Sequence, residues 1–267
     1  MSRRASELIT CTPRFLPASD WARSIENAFA VNPANLPENL ELDKLPDRRP
    51  GERAALDIGR YWGPGGVRLT VGFIDTRDTV LREMILAHLN AWSRCANVSF
   101  VASETDPRVR IARWTAEDSR GDEGYWSNLG TDILLIPKDR PTMNLEAFTA
   151  MTPETEFRRV VRHEAGHTLG FPHEHMRARI IRRLDRAKVI AEFQRTQGWT
   201  EDEVIAQILT PLEDSAIIAT PTADETSIMC YQIDGSLTVD GEAIEGGIDI
   251  NESDHKFSAS CYPKKLD

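Results

Sequence analysis

The sequence of 267 residues predicts an α+β fold. Residues 67–74 alternate apolar and polar side chains, which is typical of a half-buried strand. Residues 79–95 instead repeat apolar side chains at helical spacing, over a length that can cover a sheet. Hydrophobic residues make up 40% of the chain, so it can bury a substantial core. We therefore expect strands packed against helices.

The chain divides into an extension and a main domain. Residues 1–60 are rich in proline, charge and turn formers, which predicts an N-terminal extension with one short helix over residues 21–30. Residues 61–265 form the predicted main domain, with an N-terminal lobe at 61–170 and a C-terminal lobe at 171–265.

Further strands and one long helix complete the predicted N-terminal lobe. Short β-branched runs at residues 98–101 and 109–112 predict two strands, and residues 130–136 predict another, which we place at a sheet edge because Pro137 ends it. Pro153 suits the first position of a helix with acids in its first turn. The apolar face of that helix, which we expect to pack on the sheet, is Phe157, Val160, Val161, Ala165 and Leu169.

The pattern changes after residue 173. An arginine-rich segment predicts a charged helix over residues 177–197, and a second helix is predicted over residues 201–209. A loop rich in Thr, Pro and Asp follows. A short helix is predicted over residues 252–261, because Asn251 is placed to cap it.

Charge and hydropathy exclude several classes of protein. The formal net charge of −10 argues against a general binder of nucleic acid or anionic membranes. No apolar run approaches the length of about 18 residues that a membrane helix needs. The first 20 residues carry arginines but no apolar core of the secretory-signal type. The sequence therefore does not assign the protein to a cellular compartment.

The four cysteines, Cys11, Cys95, Cys230 and Cys261, are too scattered for a disulfide framework or a structural zinc site. We interpret them as thiols. In an oxidising compartment, a bridge between Cys230 and Cys261 would be the alternative, because it would join two segments of the C-terminal lobe.

The run from His163 to His173 predicts a hydrolytic zinc site. His163 and His167 are four residues apart, so on a helix both project from one face and can chelate one ion, with Glu164 beside them as a general base. Gly170 can adopt the left-handed conformation that would return His173 as a third ligand. Three protein ligands leave a position for water, which distinguishes a catalytic zinc site from a structural one.

The alternative interpretation is a helix with solvated histidines. It leaves the register of three histidines, a glutamate and a glycine unexplained. No comparable pattern surrounds His88 or His255, and we expect His88 to lie on an amphipathic helix. His175 is interpreted as a surface residue or a neighbour of the ligands.

The zinc motif, followed by Ser227-Ile228-Met229-Cys230-Tyr231, resembles the metzincin metallopeptidases with their Met-turn. Glu174 after the third histidine and Tyr231 after Met229 resemble the astacin subgroup. The similarity extends over residues 67–263 and is of the bacterial and fungal type. Two features depart from animal astacins: Cys230 stands where His is commonest, and residues 177–180 replace an Arg-Asp-rich stretch.

The resemblance implies a metzincin fold: a twisted mixed sheet and the active-site helix in the N-terminal lobe, a mostly irregular or helical C-terminal lobe, and a cleft between them. It implies that Tyr231 is a fifth zinc ligand that moves to stabilise the oxyanion, and that Met229 forms an apolar floor without binding the metal. A buried aromatic beside a turn is the alternative for Tyr231. Glu174 would anchor a mature N-terminus or be a surface carboxylate.

The predicted activity is that of a zinc endopeptidase on extended protein or peptide substrates, bound along an edge strand. One Zn²⁺ is the expected cofactor, and the chain is expected to be a monomer that binds neither nucleic acid nor membrane. The resemblance favours secretion. The alternatives are a zinc hydrolase of another amide and a zinc-retaining binding module without turnover.

The N-terminal extension is a candidate prosegment. We consider that Cys11, or an acidic residue such as Asp20, occupies the open zinc position until the extension is removed. The alternative is that Cys11 is an ordinary thiol.

Overall fold

The computed structural model describes residues 11, 14, 16–35, 59–118, 122–211 and 222–264. Most of the extension predicted for residues 1–60, and residue 265 at the predicted end of the C-terminal lobe, therefore lie outside the described residues. The boundaries of the extension and of the two lobes stay predictions.

Within the described ranges, five strands form one mixed sheet in the order β2-β1-β3-β5-β4. Their bounds are β1 Val67–Phe73, β2 Val98–Ala102, β3 Val109–Ala112, β4 Tyr125–Ser127 and β5 Met143–Leu145. The pairs β1·β2, β1·β3 and β3·β5 are parallel, whereas β4 runs antiparallel to β5 and lies at one end of the sheet. The structure thus confirms the α+β class, the mixed sheet and the strands predicted near residues 67, 98 and 109.

The strand predicted over residues 130–136 is wrong. Gly130–Leu135 form a 3-10 helix, and Gly130 has a left-handed φ of +45°. A Cβ at this position would lie 1.9 Å from the Arg60 carbonyl oxygen, so only glycine allows the chain to pass so close. The edge strand is β4, a three-residue element that carries no alternation long enough to detect.

The helix predicted to begin near Pro153 is present and is continuous through residue 168. It consists of α3 Glu154–Glu156, a π-helical turn at Phe157–Val161 and α4 Arg162–Thr168, and we call the three together the site helix. Its predicted apolar face is fully buried against the sheet and against α2 Thr79–Leu89. Asp78 starts α2 by accepting a hydrogen bond from the Leu81 backbone N–H at 3.2 Å.

The single helix predicted over residues 177–197 is wrong in its length. The segment forms α5 Ala178–Ile181 and α6 Arg186–Gln197, because Asp185 accepts a bond from the Lys188 N–H at 3.2 Å and so begins a new helix. The next predicted helix is present as α7 Glu201–Val204 and a π-helical turn at Ile205–Leu209. The last, α8 Glu252–Cys261, has the predicted cap at Asn251, which forms a capping box with Asp254.

Buried hydrogen bonds fasten the extension to the rest of the chain. Its predicted helix is present as α1 Trp21–Val31 and packs against the 3-10 helix of Gly130–Leu135. Ser24 Oγ donates to Asp132 Oδ1 at 2.6 Å, and Asn27 Nδ2 donates to the Thr131 carbonyl at 2.9 Å. Asn35 Nδ2 bonds the Tyr61 carbonyl at 2.9 Å. The helix is therefore a packed part of the fold.

The core of the described residues divides into two hydrophobic clusters. One joins the sheet, α2 and the site helix, and it includes Met229. The other joins α6, α7 and the following turns, and it includes Cys11, Cys230 and Tyr231. All four cysteines are free, so the alternative bridge between Cys230 and Cys261 is absent. No described helix is both long and apolar enough to cross a membrane.

Candidate metal centre

Three buried imidazoles meet beside the site helix. His163 and His167 lie one turn apart on α4, and Gly170, with φ +97°, reverses the chain so that His173 returns toward them. The Nε2 atom of His173 lies 3.1 Å from Nε2 of His163 and 3.0 Å from Nε2 of His167. The structure thus brings together the three histidines that the sequence motif predicts.

Backbone carbonyls orient two of these rings. His163 Nδ1 lies 2.6 Å from the Ile228 carbonyl oxygen, and His167 Nδ1 lies 2.8 Å from the Phe171 carbonyl oxygen. A carbonyl only accepts hydrogen bonds, so both Nδ1 atoms carry the proton and both Nε2 atoms present a lone pair. Burial lowers the pKa of His163 to about 4. It also lowers the pKa values of His167 and His173 well below the usual value, so the rings are neutral.

This arrangement fits a metal ion. Lone pairs of neutral imidazoles that converge within hydrogen-bond distance repel one another unless a cation lies between them. Tetrahedral ligands at about 2.0–2.1 Å from zinc lie roughly 3.4 Å apart, close to the observed nitrogen separations. Cys11 Sγ completes the group, because all four potential ligand atoms lie within 4.8 Å of one another. Three imidazoles and one cysteine sulfur are a donor set that suits zinc, and zinc would bind the sulfur as a thiolate.

Cys11 reaches the centre along the sheet edge. Residue 11 forms a parallel bridge with Tyr125, the first residue of β4, and residue 14 forms one with Asn128, which directly follows β4. The Arg14 backbone N–H donates to the Ser127 carbonyl at 3.0 Å, and the Arg14 guanidinium lies 3.9 Å from the centre of the Trp126 ring. The other residue considered for this position, Asp20, instead pairs with Arg23 near the start of α1.

Glu164 lies beside the histidines and is held by a serine that the sequence analysis missed. Ser127 Oγ donates to Glu164 Oε2 at 2.6 Å. Burial raises the pKa of Glu164 to about 7, and hydrogen bonding from Cys11 and Ser127 opposes the rise. Because Ser127 belongs to the short strand β4, no periodic signal in the sequence could have located it.

The turn at residues 227–229 supports the centre from below. Asp254 on α8 accepts hydrogen bonds from Ser227 Oγ at 2.6 Å and from the Ile228 N–H at 3.0 Å, which fixes the turn. Met229 is buried and packs under the site helix so closely that a Cβ at Gly166 would lie 2.4 Å from its Sδ atom. Gly166 is thus required by packing, and Met229 occupies the position of the predicted apolar floor.

Tyr231 packs against the histidines. Its ring centroid lies 4.4 Å from that of His173 and 4.1 Å from that of His175, with which it is stacked at 21°. His175 is fully buried, so its interpretation as a surface residue is wrong, whereas its interpretation as a neighbour of the ligands agrees with the structure. The role predicted for Tyr231 as a ligand stays a prediction.

The remaining titratable residues near the motif lie outside the cluster. Glu174 is mostly buried and accepts a bond from the Asp224 backbone N–H at 3.0 Å; burial raises its pKa to about 7. His88 lies on α2 as predicted, where its Nδ1 accepts from Arg162 Nε at 3.2 Å and its ring stacks on Phe157. His255 is buried on α8.

Solved structures of similar proteins identify the family. One structure of myroilysin is 30% identical, with a TM-score of 0.70, and the match covers 78% of this chain and 97% of that one. A second myroilysin structure is 26% identical with a TM-score of 0.57, and the match covers 96% of this chain and all of that one.

A third match is High choriolytic enzyme 1, a hatching enzyme zinc-protease from the medaka fish Oryzias latipes. It is 16% identical with a TM-score of 0.50, over 79% of this chain and 97% of that chain, and it supports the fold alone. No protein-family model and no curated protein matches.

The fold, the histidine motif with its Met-turn and the myroilysin match together define a metzincin of the astacin-like type. The chain belongs to the astacin-like zinc metallopeptidases, as the sequence resemblance predicts.

Proposed function

We propose that the chain is a latent zinc endopeptidase that cleaves extended peptide segments. The approach of His173 Nε2 to within 3.1 Å of His163 Nε2 and 3.0 Å of His167 Nε2, beside a buried carboxyl group, is the observation that carries the proposal. His163, His167 and His173 would hold the ion. When bound, zinc supplies Lewis-acid polarisation of the scissile carbonyl and makes water nucleophilic near pH 7. Family membership further favours a secreted enzyme.

The proposed mechanism assigns proton transfer to Glu164. A pKa near 7 suits a group that takes a proton from the attacking water and returns it to the leaving amine. Ser127 holds Glu164 Oε2 at 2.6 Å and so keeps the carboxyl group aimed at the centre. Tyr231, packed on His173, would donate a hydrogen bond from its hydroxyl group to the developing oxyanion.

The extension is proposed to keep the enzyme latent in two ways. Cys11 would act as the fourth ligand and exclude the water that the reaction needs. The bridges of residues 11 and 14 occupy β4, the sheet edge to which an extended substrate would add by main-chain hydrogen bonds. Removal of the extension would therefore free the metal position and the substrate edge together.

The first experiment compares turnover of casein by wild type and by Glu164→Gln at equal zinc occupancy. We expect Glu164→Gln to lose on the order of 10²–10⁴-fold in kcat/KM, because the base is absent while the ligands remain. Glu83→Gln is the matched control, since Glu83 is exposed on α2. If the wild type binds zinc stoichiometrically but is inactive, both intact and nicked in the extension, the endopeptidase proposal is rejected and a binding module is favoured.

The second experiment addresses latency. X-ray absorption at the zinc edge should find one sulfur ligand at about 2.3 Å in the intact chain and none in Cys11→Ala. Cys95→Ala is the control and should retain the sulfur ligand, because Cys95 does not belong to the cluster. Intact chain as active as chain trimmed to about residue 60 would reject the inhibitory role of the extension.

A further inference from the structure

The C-terminal end of the site helix is buried, so its last carbonyl oxygens need hydrogen-bond donors from the protein. Backbone N–H groups of the reversal bond two of these carbonyls, at 2.8 and 3.0 Å, within residues 166–171. The carbonyls of Thr168 and Leu169 are bonded by side chains instead. The end of the helix is therefore held by residues from elsewhere in the chain.

Two aromatic residues supply these side-chain donors. Trp62 Nε1 donates to the Thr168 carbonyl at 2.9 Å, and the Tyr262 hydroxyl donates to the Leu169 carbonyl. The Trp62 backbone N–H donates in turn to the Tyr262 hydroxyl oxygen at 3.2 Å. Burial raises the pKa of Tyr262, so its hydroxyl keeps the proton that it donates. Trp62 and Tyr262, which are 200 residues apart, thus form one bonded pair that we call the aromatic cap.

The aromatic cap lies against the reversal at Gly170. Gly170 has φ +97°, and a Cβ at this position would lie 2.8 Å from the carbonyl oxygen of Arg60, two residues before Trp62. The ring of Phe171, directly after the reversal, is buried, and its centroid lies 6.1 Å from that of Tyr262. The segment that carries Trp62 and the Tyr262 side chain therefore both pack where the chain turns back toward the metal centre.

His173 depends on this reversal more than the other two histidines do. His163 and His167 lie on the helix, and a backbone carbonyl binds Nδ1 of each ring. Within the described residues, Nδ1 of His173 is buried and has no hydrogen-bond partner. The ring of His173 is therefore placed by its backbone and by packing, for example on Tyr231.

The backbone of His173 is held on both sides. After it, the Glu174 N–H donates to the Met229 carbonyl at 2.9 Å, which attaches the chain to the supporting turn. Before it, the chain runs from Gly170 through Pro172, whose ring fixes φ and leaves the segment little freedom. A change of direction at the reversal would therefore displace His173.

We propose that Trp62 and Tyr262 are positioning residues of the metal centre, because the aromatic cap holds the reversal that brings His173 to the two helical histidines. The inference rests on the proposed function and extends it to two residues that lie outside the ligand set. Groups that orient metal ligands typically contribute about 10- to 100-fold to metal affinity. Loss of the cap should therefore weaken zinc binding although every ligand atom remains in the chain.

The test measures the zinc dissociation constant of the full chain by competition with a chelator at neutral pH. Tyr262→Phe keeps the ring but deprives the Leu169 carbonyl and the Trp62 N–H of their partner, so the constant should rise by about 10- to 100-fold. Trp62→Phe should raise it by less, because the hydroxyl bond to Leu169 remains. The visible absorption of bound Co²⁺ should change in both variants, because it depends on the geometry of the ligands.

Ser258→Ala is the matched control. Ser258 is fully buried on α8, and its hydroxyl donates to the His255 carbonyl at 3.0 Å. This variant also loses a buried hydrogen bond to a backbone carbonyl, so the midpoint of urea denaturation should fall by a similar amount. Its zinc dissociation constant and Co²⁺ spectrum should equal those of the wild type.

Wild-type zinc affinity in both Tyr262→Phe and Trp62→Phe, or an equal loss of affinity in Ser258→Ala, would overturn the inference and leave the endopeptidase proposal intact. If Tyr262→Phe does not fold, Trp62→Phe decides alone. A wild type that binds zinc but cleaves neither casein nor peptides, intact or nicked in its extension, would reject the proposed function. The positioning role would survive that result, because zinc affinity is measured without turnover.

Discussion

The histidine cluster and the cluster around Asp132 are both buried, but they differ in how their polar atoms are satisfied. Asp132 accepts from Arg60 Nε at 2.8 Å and from Ser24 Oγ at 2.6 Å, one donor on each oxygen. At the metal centre, the Nε2 lone pairs of His163 and His167 are both directed toward Nε2 of His173. A buried cluster whose hydrogen-bond donors and acceptors pair with one another stabilises the fold. A buried cluster whose lone pairs point at one another instead requires a bound cation.

The largest change in stability should follow from a substitution in the Asp132 cluster. Asp132→Ala removes the carboxylate that pairs with Arg60 Nε, and both side chains are at most 2% exposed. We expect the free energy of unfolding to fall by about 3–5 kcal/mol, the cost of removing one partner of a buried ion pair. Urea denaturation measures it. Asp139→Ala, at an exposed aspartate, should change the stability by less than about 0.5 kcal/mol.

The contribution of the histidine cluster to stability should instead depend on bound metal. Free zinc at 100 times its dissociation constant should raise the free energy of unfolding by about 2.7 kcal/mol, because the ion binds only where the three rings are assembled. Calorimetry with zinc and with chelator measures the difference. The same difference is expected in Asp139→Ala. Equal melting temperatures with zinc and with chelator would remove the distinction between the two clusters.

The local part of the centre could be predicted from the sequence, and the long-range part could not. His163 and His167 share a helix face by spacing alone, and Gly170 marks the reversal that returns His173. The sequence offers Cys11 only as one candidate beside Asp20 and does not indicate Ser127, because both residues reach the centre through β4, whose three residues carry no periodic signal. Their placement depends on sheet pairing between distant segments, which spacing along the chain does not encode.

The error at residues 130–136 has the same origin. The β-branched run has the local preference of a strand, but the close passage of the Arg60 carbonyl and the left-handed Gly130 impose a 3-10 helix. Asp132 lies within this segment, where its carboxylate meets Arg60 and Ser24. Asp132, a charged residue within an otherwise apolar run, is therefore the sequence feature that indicates tertiary contacts, which override the local preference for a strand there.

The smallest expected effect tests whether α1 of the extension unfolds together with the Asp132 cluster. Ser24→Ala removes one of the two donors to Asp132 but leaves the ion pair with Arg60, so the intact chain should lose only about 1 kcal/mol in free energy of unfolding. Ser19→Ala, at an exposed serine just before α1, is the matched control in urea denaturation.

If Ser24→Ala lowers the free energy of unfolding of the intact chain but not of the chain nicked in its extension, α1 and the Asp132 cluster unfold together. If the midpoint of urea denaturation of the intact chain is unchanged, α1 separates before the rest of the fold. In that case Ser24 would contribute to the attachment of the extension and not to global stability, because a bond already broken in the transition cannot change its midpoint.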